Sequence, residues 1–397
     1  MTAKINFTHG GKTKNALGLM SGTSCDGLDI AWIEIEGHGI NTRFEFKAGR
    51  SFQYSDQQKT GLLQLMQGRN FSAKDFSQLN FYLAEIWAEM VQQFLAENNI
   101  SAEKIDFIGS HGQTIWHQPD AEQFIDRQTS STFQLGDPSV LAQLCGIPAV
   151  GDFRAADMAL GGQGAPLIPY FDWIYFSKFK KNILALNIGG ISNVTLIPAD
   201  GKLENLTAFD CGPGNMLIDR SMEILFGQPF DENGKTAFKG RLSQRLFSYL
   251  KDKDTFADVQ PPKSTGRELY SKQYLDHILA ESERLKISRE DIIHTISRYT
   301  AYAIFSSYQK FIKPASSVQV VAAGGGGAHN SFLMESLQDY FSPAVVSSVS
   351  EFGLDEDFKE AAGFAVLANE TFAGQASNVM QVTGASRPAV LGRICLV

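Results

Sequence analysis

The stretch whose residue types best fit catalysis covers residues 151–166 and reads GDFRAADMALGGQGAP. It follows a short apolar run, residues 145–150, which predicts a strand ending just before Asp152. Open α/β sheets bind their ligands beside strand ends, and a carboxylate next to a glycine-rich loop fits that place. Asp152 is therefore our candidate for the reacting acid. The alternative is an ordinary loop in which Arg154 pairs with Asp157.

A polar turn near the start of the chain is a candidate for binding phosphate. Residues 16–20 predict a strand, SGTSCDG follows at residues 21–27, and a second strand-like run begins directly afterwards. Hydroxyls and backbone N–H groups at such a hairpin tip suit a di- or triphosphate. Asp26 and Asp29 are then placed to hold a metal ion or an attacking water. An ordinary Ser/Gly turn with aspartate capping is the alternative.

The second half of the chain repeats this organisation. Residues 183–188 predict a buried strand, which leads into a second small polar turn at residues 189–193. Two such hairpins, one in each half, indicate a duplicated βββαβα unit with a cleft between the copies. Asp210 precedes a Gly/Pro turn at residues 212–215, which opens a helix whose N-terminus is suited to an anion.

A run of glycines marks a third candidate loop. The buried-type strand at residues 318–322 leads into GGGGAHN at residues 324–330, and a helical pattern follows. Glycines between a strand and a helix allow a flat ligand to lie against bare backbone. Loop flexibility without a ligand is the alternative.

Two further sites carry polar groups that fit ligand contacts. Residues 105–109 predict a strand, and His111 and Gln113 in SHGQT stand where we expect it to end. A satisfied structural histidine is the alternative for His111. Residues 357–372 predict an alanine-rich helix with Glu360 in its first turn. Helix electrostatics alone also account for an acid at that position.

Composition narrows the function classes. A chain of 397 residues predicts two domains, and a net charge of −8 argues against a nucleic-acid surface. The four cysteines are scattered without a CxxC pair, which fits a reducing compartment. No signal-peptide core or membrane-length apolar run is evident, so we expect a cytoplasmic protein that binds neither nucleic acid nor membrane. The oligomeric state is open, with a homodimer as one option.

Several strings in this sequence together resemble one known family. In chain order they are GLMSGTSCDGLD, SHGQT, QLGDPSVLA, GDFRAADMALGGQGAPL, NIGGISN, FDCGPGNMLID, FDENGKTA, GGGGAHN and EAAGFAVLA. This order resembles that of the anhydro-N-acetylmuramic acid kinases, from Gly18 to about Asn369. The fourth string is highly specific, and no motif position departs from the family pattern.

The resemblance implies an α/β fold of the actin/hexokinase/Hsp70 type, with two domains and ATP in the cleft. Each domain would be built on a ribonuclease-H-like mixed sheet flanked by helices. We expect domain I to comprise residues 1–150 plus about 370–397, with the first phosphate hairpin and part of the sugar site. Domain II would comprise residues 151–369, with the second hairpin and the adenosine-side loop. Hinge segments are expected near residues 151–166 and 357–369.

The resemblance also implies roles for individual residues. Asp152 would be the catalytic base, and the candidate sugar contacts are His111, Gln113, Arg154 and Glu360. The nucleotide contacts would be Gly22, Thr23, Ser24, Cys25, Asp26, Gly27, Leu28, Asp29, Asn187, Gly189, Gly190, Asn193, Gly212, Gly214, Asn215, Gly325, Gly326 and Asn330. Asp26, Asp29 and Asp210 all qualify as ligands of Mg²⁺, and the sequence does not choose among them.

The activity implied is conversion of 1,6-anhydro-N-acetylmuramic acid, ATP and water into N-acetylmuramic acid 6-phosphate and ADP, in cell-wall recycling. One competing interpretation is a related kinase that acts on an ordinary sugar or a carboxylate. Another is a nucleotide-gated binding module, as in the chaperone and filament members of the fold. That module would need a peptide-binding appendage or an assembly surface, and the chain has no spare segment long enough for the appendage.

Overall fold

A computed structural model describes residues 13–22, 24–66, 71–265 and 269–397. Its strands are β1 (Lys14–Ser21), β2 (Gly27–Glu36), β3 (Arg43–Gln53), β4 (Phe107–Phe124), β5 (Arg127–Leu135), β6 (Ala149–Gly151), β7 (Ile183–Ile188), β8 (Ile191–Ile197), β9 (Thr207–Pro213), β10 (Val320–Gly324), β11 (Val345–Ser348) and β12 (Arg393–Cys395).

The helices of four or more residues lie between and after these strands. They are α1 (Asp56–Met66), α2 (Ala73–Glu97), α3 (Pro138–Cys145), α4 (Ala155–Met158), α5 (Ile168–Phe176), α6 (Met216–Phe226), α7 (Gln244–Lys253), α8 (Lys272–Arg284), α9 (Arg289–Phe311), α10 (Ser331–Phe341), α11 (Lys359–Ala373) and α12 (Met380–Thr383). Within the described ranges, none of the helices has both the length and the apolar character needed to cross a membrane.

The chain folds into two compact units. Unit 1 comprises the residues up to Tyr175 and those from Phe358 onwards, and unit 2 comprises Phe176–Asp357. The boundaries expected from the sequence, near residues 150 and 369, differ from these crossing points. The physical reason is packing: the ring of Phe171 in α5 lies 5.2 Å from that of Phe44 in β3, so α5 stays with the first sheet.

The sheet of unit 1 is built around β1. Its described strands follow the order β12-β6-β4-β1-β2-β3, and β5 pairs with β4 beside this path. β1, β2 and β3 form an antiparallel meander, whereas β4 is parallel to β1 and β6 is parallel to β4. Along β2, alternate residues such as Ile33 and Ile35 are buried, which is the period-2 pattern of a strand with one core face.

The sheet of unit 2 repeats the same plan. Its described strands follow the order β11-β10-β7-β8-β9, with β7, β8 and β9 as the antiparallel meander. β10 is parallel to both β7 and β11. Numbered in chain order, the strands of unit 2 show the 3-2-1-4-5 arrangement of a ribonuclease-H-like sheet. Unit 1 shows the same arrangement when β5, which lies beside the path, is left out of the count, and β12 is added at its edge. The predicted fold class, a duplicated mixed α/β fold of the actin/hexokinase type, is confirmed.

Local signals account for where the long helices begin. α2 begins at Ala73 because Ser72 and Asp75 form a reciprocal capping box. α9 begins after Ser288, whose side chain accepts a hydrogen bond from the backbone N–H of Asp291. Both helices bury aromatic side chains against their own sheets, including Trp87 in unit 1.

Helix α11 approaches the sheet of unit 1 unusually closely. A Cβ atom placed on Gly18 in β1 would overlap the carbonyl oxygen of Ala361. A Cβ atom on Gly109 in β4 would overlap the carbonyl oxygen of Phe364. The backbone of this alanine-rich helix therefore lies directly against the backbone of the two strands.

Strand β4 is much longer than expected. The sequence predicts that this strand ends before His111, but it continues to Phe124. The reason is a change of partner: β4 pairs with β1 as far as Gln113 and with β5 from Gln113 onwards. His111 and Gln113 therefore lie inside a strand and not at its exit. After β4, the strand β5 runs antiparallel to it, and α3 then connects β5 to β6.

Candidate active site

Asp152 lies directly after β6, as the sequence predicts. Its backbone φ is +57°, in the left-handed region that few residues other than glycine adopt. Such conformations concentrate at functional sites, where the surrounding structure holds them in place. The side chain is 36% exposed, and its Oδ2 atom lies 3.0 Å from Nη2 of Arg393. The carboxylate is therefore open to solvent and outside the packed interior.

The loop that follows Asp152 is held by a buried carboxylate. Asp157 is fully buried and accepts hydrogen bonds from Gly164 N–H at 2.8 Å, Asn378 Nδ2 at 2.9 Å and Thr383 Oγ1 at 2.8 Å. These donors satisfy Asp157 without the ion pair to Arg154 that was the structural alternative. Asp157 thus ties the loop to the C-terminal segment of the chain.

Arg154 and His111 are bonded to each other. Arg154 donates from Nη1 to the carbonyl of Gly164 at 2.8 Å, and its Nη2 lies 2.7 Å from Nε2 of His111. Burial lowers the pKa of Arg154 to about 10, so it stays a cation at neutral pH. Burial and then Arg154 lower the pKa of His111 to about 3, so the imidazole is neutral. Its Nε2 therefore accepts the hydrogen bond, and the ring proton is on Nδ1.

Glu360 stands in the first turn of α11 among other charges of unit 1. Burial raises its pKa, and the charges that act on it next are Lys359, Asp29, Asp172 and Arg154. Lys359 is itself paired with Asp172, with 2.6 Å between Nζ and Oδ1 and both side chains 5% exposed. Three of the predicted site residues, Asp29, Arg154 and Glu360, are thus brought close enough to interact.

Gln113 braces the first hairpin. It is fully buried, its Oε1 accepts from the Ser21 hydroxyl at 2.6 Å, and its Nε2 donates to the carbonyl of Gly22 at 3.1 Å. The hydroxyl of Tyr54 lies 3.0 Å from the same Ser21 oxygen. These bonds fix the end of β1 where the tip begins. The role of Gln113 as a sugar contact stays a prediction.

At the first hairpin tip, the groups available to bind a phosphate belong mainly to the backbone and not to side chains. Cys25 and Leu28 are fully buried, so their side chains face the core. The N–H of Cys25 closes the turn by donating to the carbonyl of Gly22 at 3.1 Å. Ser24 lies in the same turn and Gly27 opens β2, whereas Thr23 lies outside the described residues. A phosphate bound here would be held mainly by main-chain N–H groups.

The second hairpin tip is joined to the turn before α6. Gly189 and Gly190 connect β7 to β8, across which Asn187 pairs with Asn193. The N–H groups of Gly214 and Asn215 donate to the carbonyls of Gly190 and Gly189, each at 2.8 Å. Gly212 has a φ of +137°, which favours glycine. The turn predicted to face an anion is therefore fastened to the tip.

The glycine-rich loop after β10 lies against the same residues of unit 2. Gly325 has a φ of +76°, and a Cβ atom there would lie 2.5 Å from Oδ1 of Asn187. The nearest atom to a Cβ on Gly326 would be Nδ2 of Asn215, at 3.6 Å. Asn330 closes the loop by capping α10 through Leu333 N–H at 3.0 Å. Unit 2 thus gathers its predicted nucleotide residues into one place.

The three candidate metal ligands have different surroundings. Asp26 is paired with Lys59, and Asp29 accepts from the Ser51 hydroxyl at 2.5 Å. Asp210, in β9, accepts from Ser264 Oγ at 3.0 Å and from Thr265 N–H at 2.8 Å. Among the residues described, no three His, Cys, Asp or Glu side chains cluster as a metal cage. Mg²⁺ commonly uses one or two carboxylates with waters and substrate phosphates, so a cluster of three carboxylates is not required.

Sequence reasoning missed the part played by the C-terminal segment. Asn378, Thr383 and Arg393 all bond to residues of the loop that begins at Asp152. Each of these contacts joins residues more than two hundred positions apart, so no local spacing reveals them.

The fold and this arrangement define a class of protein: a duplicated ribonuclease-H-like fold of the actin/hexokinase type, with two small polar hairpins and a glycine-rich loop. Residues 14–396 match the family model described as Anhydro-N-acetylmuramic acid kinase. The chain belongs to the anhydro-N-acetylmuramic acid kinase family.

Curated relatives agree with this placement. An anhydro-N-acetylmuramic acid kinase of Caldanaerobacter subterraneus is 38% identical and covers 96% of each chain. One from Bacillus thuringiensis is 40% identical over 95% of this chain and 98% of that one. Among solved structures, the (R)-2-hydroxyglutaryl-CoA dehydratase component A of Acidaminococcus fermentans is 12% identical with a TM-score of 0.47, covering 91% of this chain and 99% of that chain. This last likeness is too distant to bear on function.

Proposed function

We propose that this chain is an ATP-dependent kinase that opens 1,6-anhydro-N-acetylmuramic acid with water and phosphorylates O6. The products are N-acetylmuramic acid 6-phosphate and ADP, and the reaction serves peptidoglycan recycling in the cytoplasm. The observation that carries the proposal is the family match over residues 14–396, nearly the whole chain. Relatives that are named anhydro-N-acetylmuramic acid kinase and are about 40% identical to this chain support the proposal.

The reaction joins two bond exchanges. Water oxygen bonds to the anomeric carbon as the bond from that carbon to O6 breaks. O6 bonds to the γ-phosphorus of ATP as the bond from that phosphorus to the leaving ADP oxygen breaks. The proton lost by water passes to a base. An ordinary glycosidase needs a second carboxyl group to protonate the leaving oxygen, but here phosphoryl capture of O6 replaces that proton.

Asp152 is the base in this scheme. Its partly exposed carboxylate has access to water, and its left-handed backbone directs it away from the regular strand. A general base must come within hydrogen-bonding reach of the proton that it removes. The neighbouring loop is held by buried Asp157, so the base stands on a fixed support.

Arg154, His111 and Glu360 are proposed to hold the sugar. Arg154 has a fixed direction because Gly164 and His111 each bond one of its nitrogens. His111 acts as a neutral group, since its pKa of about 3 lies far below physiological pH. Glu360, with its raised pKa, stands at the N-terminal end of α11 near the same guanidinium. The sugar would thus meet groups already ordered before it binds.

ATP is proposed to bind through main chain at the two hairpin tips and the glycine-rich loop. Phosphoryl transfer needs positioning and charge neutralisation more than covalent help from the protein. Mg²⁺, when bound, neutralises charge on the phosphates. Asp26, Asp29 and Asp210 are the residues of this chain that would hold it or its waters.

The test is product analysis with purified protein. ADP release is coupled to NADH oxidation in the presence of the anhydro-sugar, glucose or N-acetylglucosamine, and the sugar products are identified by mass spectrometry. Among these sugars, we expect turnover only with the anhydro-sugar, and a product heavier than it by one phosphoryl group (HPO₃) and one water. Equal phosphorylation of a plain hexose would instead identify an ordinary sugar kinase. ATP binding without turnover on any sugar would favour the nucleotide-gated binding module.

A further inference from the structure

The last strand of the chain lies beside the candidate base. β12 runs antiparallel to β6, and Arg393 sits opposite Gly151, the residue before Asp152. This register brings the Arg393 side chain to the Asp152 carboxylate, with 3.0 Å between Nη2 and Oδ2. The contact is thus a consequence of sheet pairing between two distant parts of the chain.

The backbone around Arg393 is fixed on both sides. Gly392 has a φ of +85°, and a Cβ atom there would lie 2.6 Å from Cγ1 of Val150. Before it, the hydroxyl of Thr371 donates to the carbonyl of Leu391 at 2.6 Å. After it, Gln143 donates to the carbonyl of Leu396 at 3.1 Å. The backbone position from which the Arg393 side chain extends is therefore well defined.

Arg393 is the only hydrogen-bonding or ion-pair partner that the Asp152 carboxylate has among the described residues. Both side chains are substantially exposed, at 59% and 36%. An exposed ion pair of this kind adds little to stability. A cation at one carboxylate oxygen nevertheless restricts the rotation of that carboxylate and leaves its other oxygen, Oδ1, for water.

We infer that Arg393 is a positioning residue, which orients the Asp152 carboxylate toward the attacking water. The inference rests on the proposed role of Asp152 as the base. Geometry matters strongly at this step, since misplacing a reacting group by about 1 Å can cost on the order of 10²-fold in rate. Arg393 acts through Asp152 and does not itself touch the sugar.

The first test compares Arg393→Gln and Arg393→Lys with the unchanged enzyme. Arg393→Gln should lower kcat about tenfold with little change in KM for either substrate, because orientation of the base is lost and binding is kept. Arg393→Lys, which keeps the charge, should recover part of that loss. Melting temperatures should not change, because the pair is exposed. Arg387→Gln, an exposed arginine of the same C-terminal segment, is the matched control and should keep full activity.

A double-mutant cycle separates this inference from the proposed function. In an Asp152→Asn background, Arg393→Gln should cause no further loss of the residual rate. A further loss of the same size, or a raised KM at unchanged kcat, would show that Arg393 contacts the substrate directly and would overturn the inference. Full activity of Arg393→Gln in the unchanged background would also overturn it. Near-normal turnover of Asp152→Asn alone would overturn the proposed base, whatever Arg393 does.

Discussion

At the scale of single residues, the candidate sugar site depends on a buried histidine and a half-buried arginine that fix each other. His111 is 4% exposed and neutral, and it accepts a hydrogen bond from Arg154. The residue type alone favours a structural histidine. His111 is buried within β4, as a structural histidine would be, and it also orients the guanidinium of Arg154. The structural role and the candidate role in the sugar site are therefore compatible.

Replacing Asp152 by asparagine tests the base. Asparagine keeps the size of the side chain but cannot take a proton, so kcat should fall about 10²–10⁴-fold, with a modest change in KM. Steady-state kinetics with the anhydro-sugar measure this. Asp126→Asn, in the exposed β4–β5 turn, is the control and should match the unchanged enzyme. Turnover of Asp152→Asn near the normal rate would remove Asp152 from the mechanism.

Replacing Arg154 by lysine tests the bonded pair. Lysine cannot reach Gly164 and His111 with two fixed N–H groups, so kcat/KM should fall about 10- to 100-fold although the charge is kept. The comparison variant is Arg127→Lys, whose side chain is 78% exposed. If Arg154→Lys retained full kcat/KM, charge alone would account for the role of Arg154, and the fixed direction would be irrelevant.

At the scale of elements, the close approach of α11 to β1 depends on Gly18. Gly18→Ala should destabilise unit 1 by about 1–3 kcal/mol or more, because the added methyl group overlaps the carbonyl of Ala361. Urea unfolding followed by circular dichroism measures the change.

Gly61→Ala is the matched control for this prediction. Gly61 is an exposed residue of α1, and a Cβ atom at this position would have no other atom within 4 Å. This variant should gain about 0.5–1 kcal/mol from helix propensity. Equal stabilities of Gly18→Ala and the unchanged protein would contradict the packing described for α11.

Elements with local signals could be predicted from the sequence, and elements defined by distant pairing could not. Both hairpins and the Ser288 cap follow from residues within a few positions of each other. The length of β4 depends instead on β5 taking over from β1 at Gln113. β12 and the Arg393–Asp152 contact depend on pairing with β6. Sequence periodicity carries no information about such partners.

At the scale of the whole molecule, the duplication was predictable because both halves repeat the same pattern of strand, polar turn and strand. The points where the chain passes between the units were not. Composition does not change at Tyr175 or at Asp357, and the assignment of α5 to unit 1 follows from contacts such as Phe171 with Phe44. Unit boundaries are a property of packing, which is set by contacts between residues that are far apart in the sequence.

The stability of the molecule should depend on pH through Asp219 in α6. Burial and then Asp231 raise the pKa of Asp219 to about 7. In the unfolded chain an aspartate has a pKa near 3.9. Between about pH 4 and 7, the Asp219 carboxyl group is therefore protonated in the native state and ionised in the unfolded state. Stability from this group is therefore lost as pH rises through that window.

Asp219→Asn removes the titration and should gain stability over the unchanged protein as pH rises from about 4 to 7. The gain should reach at most about 4 kcal/mol and then level off. Melting temperatures at pH 5, 6, 7 and 8 measure it, with Asp276→Asn, a half-exposed aspartate of α8, as the control. A difference in stability that is independent of pH would contradict the raised pKa.

Opening of the acetal and phosphorylation of O6 are proposed to be one reaction, and this coupling can be tested with labelled water. The enzyme is run briefly in H₂¹⁸O with ATP and the anhydro-sugar, quenched before the anomeric hydroxyl exchanges with solvent, and the product is fragmented by mass spectrometry. We expect one ¹⁸O at the anomeric carbon and none in the phosphoryl group. An unlabelled anomeric position, or ¹⁸O in the phosphate, would contradict it.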